Sequence, residues 1–271
     1  MTELPHAPPG PARTDAIFDC LRILHIALDR HGIWHSLAFG TMLGAVRGGD
    51  LIPWDDDFDL LLRPADLHRV MALSGELGRE GISFSQVLRP GNQLALDRRG
   101  YSTFSSGAIS IIREGKKLGD FFLFHLFRDG VLRRYDFARE IYWCPHSSFP
   151  AFFVEELRQV TLRGESFPTL LHTERWLEFV YGADWRVPVK SKNTGGQWRE
   201  GLNVYGHHIE PQLKALIEWC EEKDWDRSKY ALQPAWPRDV LGAGPFGPTA
   251  RTKDNSRSLW WRDLDELLQH F

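Results

Sequence analysis

Phe39-Gly-Thr-Met-Leu-Gly-Ala-Val-Arg47-Gly-Gly-Asp50-Leu-Ile-Pro-Trp54-Asp-Asp-Asp57-Phe-Asp59-Leu-Leu-Leu62 places a small-residue turn, an arginine and a dense run of carboxylates in one supersecondary unit. Asp57 and Asp59 alternate with Phe58 and Leu60. In a strand, residues two apart share a face, so both carboxylates project one way and the apolar residues enter a core. Like charges held side by side need a compensating cation. Converging carboxylate oxygens suit a hard divalent ion, magnesium or manganese. A solvated acidic loop is the usual fate of a charge run, but Trp54, Phe58 and Leu60 to Leu62 draw this one into a core. Asp55, Asp57 and Asp59 also match the first, third and fifth positions of a calcium loop. That loop needs Gly at the sixth and Glu at the twelfth, where this chain has Leu60 and Asp66. A strand-borne catalytic metal site explains both the alternation and the apolar flank.

A phosphoryl transferase of this kind needs a further carboxylate on a neighbouring strand. Asp120, heading the apolar run Asp-Phe-Phe-Leu-Phe, is the candidate, against the alternative of a strand-edge Asp with no role. Gly40-Thr41 opens a short helix whose free N–H groups can meet a phosphate, or is simply a capped turn. Arg47 either pairs with phosphate or salt-bridges the acidic cluster. Arg113, Lys116 and Lys117 stand ready for phosphates too, a solvated basic turn being an equal reading for the two lysines. Trp54 completes the substrate-binding set, and Asp120 or Asp55 is the candidate proton acceptor. Two other Asp-x-Asp pairs, at 224/226 and 263/265, fall in charged or helical contexts. Gly242-Ala-Gly-Pro-Phe-Gly247 is interrupted by Pro245 and is no dinucleotide fingerprint.

On the N-terminal side of this stretch, Thr14 or Asp15 caps a helix with Ile17, Leu21, Leu24 and Leu28 at helical spacing, ending near Gly32. A strand over Ile33–Ala38, a helix over Thr41–Val46 and the strand from Asp57 to Leu62 come next. Pro64 starts a helix running to about Gly81. Strands are expected at Ile82–Leu88, Ala108–Ile112 and Asp120–Phe127, with hairpin turns at Asp129-Gly130 and Arg163-Gly164. Gly182 stops a helix carrying Trp176, Leu177 and Val180, and a further helix opens at Pro211. A Pro/Gly-rich segment over 233–250 precedes a last amphipathic helix from Trp260 to Phe271. The order reads as an α+β architecture. It comprises a flexible 1–13, a catalytic domain over 14–190 and an extension over 191–271 that shapes the acceptor site.

The 271 residues, 42% hydrophobic and 25% charged, are of ordinary globular composition, and a net charge of −3 offers no case for nucleic acid. Cys20, Cys144 and Cys220 form no metal spacing and read as reduced thiols. The N-terminal residues lack a signal-peptide pattern, and the apolar stretch Phe121–Phe127 is too short to span a bilayer. A cytoplasmic protein is expected.

Gly-Thr-x-Leu-Gly-Ala-Val-Arg followed by Ile-Pro-Trp-Asp-Asp-Asp-x-Asp resembles the signature of the LicD/fukutin-related phosphotransferase family. Gly119-Asp120-Phe121-Phe122 and Glu178-Phe-Val-Tyr-Gly-Ala-Asp-Trp185 are similar to later family segments, so the resemblance covers roughly 20–190. It implies a nucleotidyltransferase-like fold, a small mixed sheet flanked by helices. It implies transfer of a phospho-alcohol, such as phosphocholine or ribitol phosphate, from a CDP-linked donor to a sugar hydroxyl on a glycan. It carries over Asp57, Asp59 and Asp120 as metal ligands and Gly40 and Thr41 as phosphate-lining residues. Leu123, His125 and Ile111 depart from the family pattern and bear on donor identity. Two rival readings use the same residues: nucleotidyl transfer to a small alcohol or aminoglycoside, and non-catalytic binding of a nucleotide or sugar.

Overall fold

The computed structural model describes residues 11–86, 108–126, 129–133, 135–136, 141–142, 148–188 and 209–230. Of the segment 1–13 expected to be loose, residues 11–13 are helical and 1–10 lie outside the described residues, as do the end of the run at 87–88, Cys144, the Pro/Gly-rich segment 233–250 and the final amphipathic helix.

Helix α1 (Pro11–Arg30) begins earlier than the Thr14/Asp15 cap predicts, because proline is well tolerated in a first turn. Ile17, Leu21, Leu24 and Leu28 are buried along its inner face, and Gly32 closes it at φ 57. Next come β1 (His35–Leu37), α2 (Phe39–Gly48) and β2 (Phe58–Leu62). The single helix expected from Pro64 to Gly81 is broken. A 3-10 turn at Pro64–Asp66 leads into α3 (Leu67–Ala72) and then α4 (Ser74–Gly78). Ser74 Oγ donates to the Met71 carbonyl, which competes with helix continuation, and Gly75 and Gly78 weaken the helical turns after it.

Strands β3 (Ile82–Gln86), β4 (Ala108–Arg113) and β5 (Lys116–Leu123) complete a five-stranded sheet in the order β1-β2-β5-β4-β3. Only the β2–β5 pair is parallel, which makes the sheet mixed. α1 lies against β2 and β5, and α2 against β2. The run expected over Asp120–Phe127 instead starts at Lys116 and breaks at Phe124 before β6 (His125–Leu126). Across β4 and β5 the register jumps: Ile112 faces Lys117, whereas Ile111 faces Gly119. Leu118 is therefore an extra residue on β5, a bulge.

β7 (Val131–Arg133) pairs with β6 across the expected Asp129-Gly130 turn, Gly130 adopting φ 75. Short strands β8 (Tyr135–Asp136), β9 (Ile141–Tyr142) and β10 (Phe149–Pro150) follow. β11 (Leu157–Leu162) and β12 (Glu165–Leu170) form the second expected hairpin, with Arg163 and Gly164 both at positive φ. This is the backbone of a hairpin turn matched to strand twist. α5 (Thr173–Tyr181) ends at Gly182 as expected, and α6 (Ile209–Glu221) packs against β10 and α5. Leu213, Leu216, Cys220, Trp225 and Tyr230 join the same core as the sheet. Burial pushes the thiols of Cys20 and Cys220 up to about 12, so both are unreactive packing groups. Among the described residues no helix is long and apolar enough to cross a membrane.

Candidate metal centre

The parallel pairing of β2 and β5 sets Asp59 directly beside Asp120. Ser110 lies opposite Asp120 on β4, so three adjacent strands turn polar side chains to one face at one level. Ser110 Oγ donates to Asp120 Oδ1 at 2.8 Å and fixes that carboxylate. Asp57, one residue before β2, reaches the same place. Oxygens of Asp57, Asp59 and Asp120 all lie within 4.8 Å of one another, and so do oxygens of Asp55, Asp56 and Asp57.

The start of α2 anchors this arrangement. The Ala38 N–H donates to the Asp59 carbonyl at 3.0 Å, and the Asp59 N–H donates to Thr41 Oγ1 at 2.8 Å. The two bonds hold both sides of Asp59's backbone against the helix. Thr41, expected among the phosphate-lining residues, is buried with its hydroxyl turned to the strand, a positioning contact. Phe39 enters α2 at φ 40, a conformation that an aromatic residue rarely adopts. Its ring packs on Phe122 (centroids 4.8 Å) and Trp176 (5.3 Å), and this packing holds the strained backbone in place. At Gly40 a Cβ would overlap Asp55 Oδ2, so glycine is what lets Asp55 settle against the helix.

Electrostatically the cluster is overloaded with negative charge. Burial, then the charges of Asp57 and Asp56, pushes Asp55 up to about 7. Burial also raises Asp57, with Lys117 opposing and Asp120 adding to the rise. Asp59 is raised well above the ordinary carboxylate range by burial and by the charges of Asp57, Asp55 and Asp120. Lys117 answers this charge: its Nζ stands 3.0 Å from Asp57 Oδ2 and 2.7 Å from Asp120 Oδ2. Burial works against the ammonium, but the carboxylates of Asp120 and Asp57 outweigh it and raise the Lys117 pKa. Three carboxylates against one ammonium leave an oxygen-rich, anionic donor set whose chemistry fits a divalent hard ion.

The other expected site residues are placed differently. Arg47 sits in the last turn of α2, about 10 Å along the helix from Gly40. Among the described residues it forms no ion pair with the acidic cluster. Arg113 is engaged elsewhere: its guanidinium donates to Asp19 Oδ2 at 2.5 Å and to the Glu80 carbonyl at 3.2 Å, tying β4 to α1. Trp54 is partly exposed in the turn before Asp55 and packs against the core. Asp56 is exposed and takes Arg13, at 3.7 Å between side chains, instead of joining Asp59. Lys116 and Lys117 are both exposed, but the Lys117 ammonium is engaged by Asp57 and Asp120. Ser110 is a site residue that the sequence reading does not single out. Its signal is a lone hydroxyl in Ile109-Ser-Ile111, pointing opposite to its apolar neighbours.

A mixed sheet with acidic residues on one strand, a third on its parallel neighbour and a helix start packed beneath them defines a nucleotidyltransferase-like domain. Comparison with known families agrees: residues 32–169 match the LicD/FKTN/FKRP nucleotidyltransferase domain, and the chain belongs to that family. It is also similar to the lipopolysaccharide cholinephosphotransferase LicD of Haemophilus influenzae, 42% identical over 53 residues. That match covers 18% of this chain and 20% of the relative's length.

Proposed function

We propose that the chain is a metal-dependent phosphotransferase. It moves a phospho-alcohol, such as phosphocholine or ribitol or glycerol phosphate, from a CDP-linked donor to a glycan hydroxyl. The setting is modification of a cell-surface polysaccharide or glycoconjugate. The observation that carries the reading is the convergence of Asp57, Asp59 and Asp120 within 4.8 Å, inside a domain of this family. These three carboxylates would hold magnesium or manganese, which supplies charge neutralisation at the donor diphosphate.

The chain's own residues do the rest. Ser110 orients Asp120, while Thr41 and Ala38 lock the backbone of Asp59. The acceptor hydroxyl oxygen bonds to the phosphorus that carries the alcohol. The bond from that phosphorus to the bridging oxygen breaks, and CMP leaves with the electron pair. Asp55 or Asp120 takes the hydroxyl proton, Asp55 standing beside the three carboxylates without being one of the ligands. The test is a panel of CDP-choline, CDP-ribitol, CDP-glycerol and nucleoside triphosphates with magnesium, read by the nucleotide released. Release of CMP, lost in Asp57→Asn and in chelator, supports the reading. Pyrophosphate release from a triphosphate points to nucleotidyl transfer, and binding without turnover points to a non-catalytic protein.

A further inference from the structure

Lys117 and Asp120 are three residues apart on β5, a spacing that puts side chains on opposite faces of a regular strand. Here they meet at 2.7 Å. The cause is the Leu118 bulge. Inserting one residue between the Ile112–Lys117 and Ile111–Gly119 pairs reverses the alternation, so Leu118 and Gly119 are both buried in succession. Gly119 lets the strand continue closely past the bulge. A Cβ there would stand 2.7 Å from the ring and the carbonyl oxygen of Phe58, so only glycine lets β5 run flush along β2. Among the described residues no other cation pairs with Asp57, Asp59 or Asp120. The strand is thus bent in a way that delivers one ammonium to the carboxylates of Asp57 and Asp120.

We propose that Lys117 is a built-in counter-cation of the metal centre. It holds Asp57 and Asp120 together before the metal arrives and is displaced by the incoming divalent ion, so that it sets metal affinity from within the site. The proposal rests on the metal-dependent reading above. Lys117 is a positioning residue: ammonium and metal compete for the same oxygens, and competition of this kind is reciprocal.

The experiment measures manganese and magnesium binding to the full chain by titration calorimetry, alongside thermal unfolding in chelator and in saturating metal. The proteins are wild type, Lys117→Met and Lys117→Arg, each checked for native circular dichroism. Lys117→Met is expected to bind metal about tenfold more tightly, within the usual range of coupling between sites. Its metal-free form melts below wild type, and it gains more from saturating metal than wild type does. Lys117→Arg keeps the charge and stays near wild type. Metal binding by a folded Lys117→Met that equals or falls below wild type overturns the proposal, because a purely structural lysine loosens the ligands when removed. Absence of metal binding in all three proteins overturns the metal reading itself and this proposal with it.

Discussion

Replacing Asp55 by Asn makes the metal-free protein more stable at neutral and alkaline pH, although it removes a residue of the candidate site. The carboxyl lies against Gly40, where no side chain intervenes, and beside Asp56 and Asp57. Burial and those charges move its pKa from the ordinary 3.8 to about 7. A carboxyl whose pKa is raised by folding stabilises the fold fully below the unfolded value. That contribution disappears as pH rises from about 4 through 7, because the unfolded chain releases the proton first. At ~1.4 kcal/mol per pH unit, a rise of this size corresponds to about 4 kcal/mol over the whole window and about 3 kcal/mol between pH 5 and 8. Asparagine has the shape of the protonated acid and does not titrate. Wild type and Asp55→Asn therefore unfold at similar urea concentrations at pH 4 in chelator. The variant then pulls ahead as pH rises, and its advantage levels off above about 7. A stability difference that stays constant from pH 4 to 8, or an Asp55→Asn protein less stable than wild type at pH 8, refutes the account of this site.

A buried histidine slopes the other way. His35 donates from Nδ1 to the Ile33 carbonyl at 2.8 Å, meets His25 at 2.8 Å through Nε2, and is pushed down to about 4 chiefly by burial. Its contribution is present above about 6.5 and lost as pH falls to 4, amounting to about 3 kcal/mol, so its imidazole NMR signals should shift only near pH 4. Gly119→Ala forces a methyl into the fully buried Phe58 ring and costs about 1–3 kcal/mol in urea unfolding, with weakened metal binding as the sheet parts. Phe39→Ala and Phe39→Gly both lose the contacts to Phe122 and Trp176, but glycine accepts the φ of 40 freely. The Gly variant should be the more stable by about 1–2 kcal/mol, and equal melting temperatures count against backbone strain at this position.

Local pattern is enough for much of the architecture. The helical spacing of Ile17, Leu21, Leu24 and Leu28 marks α1, and the Asp129-Gly130 and Arg163-Gly164 dipeptides mark two hairpins, because each depends on residues close in sequence. The break at Ser74 is not visible in the same way: its hydroxyl competes for a helix carbonyl, and apolar periodicity carries no sign of that. Arg113 reads as a phosphate ligand from its neighbours in sequence, yet its partner is Asp19 on α1, a residue brought near only by folding.

The order of residues along the chain is sufficient to show that Asp57 and Asp59 alternate with apolar residues and that a small-residue helix start precedes them, since a two-residue period is written in the chain. Only the assembled sheet places β5 parallel to β2 with Asp120 level with Asp59. Only there does a single extra residue at Leu118 rotate Lys117 into the carboxylates. Strand register is set by what each face buries and by close approaches such as Gly119 on Phe58, and these are properties of paired strands that neither strand carries alone.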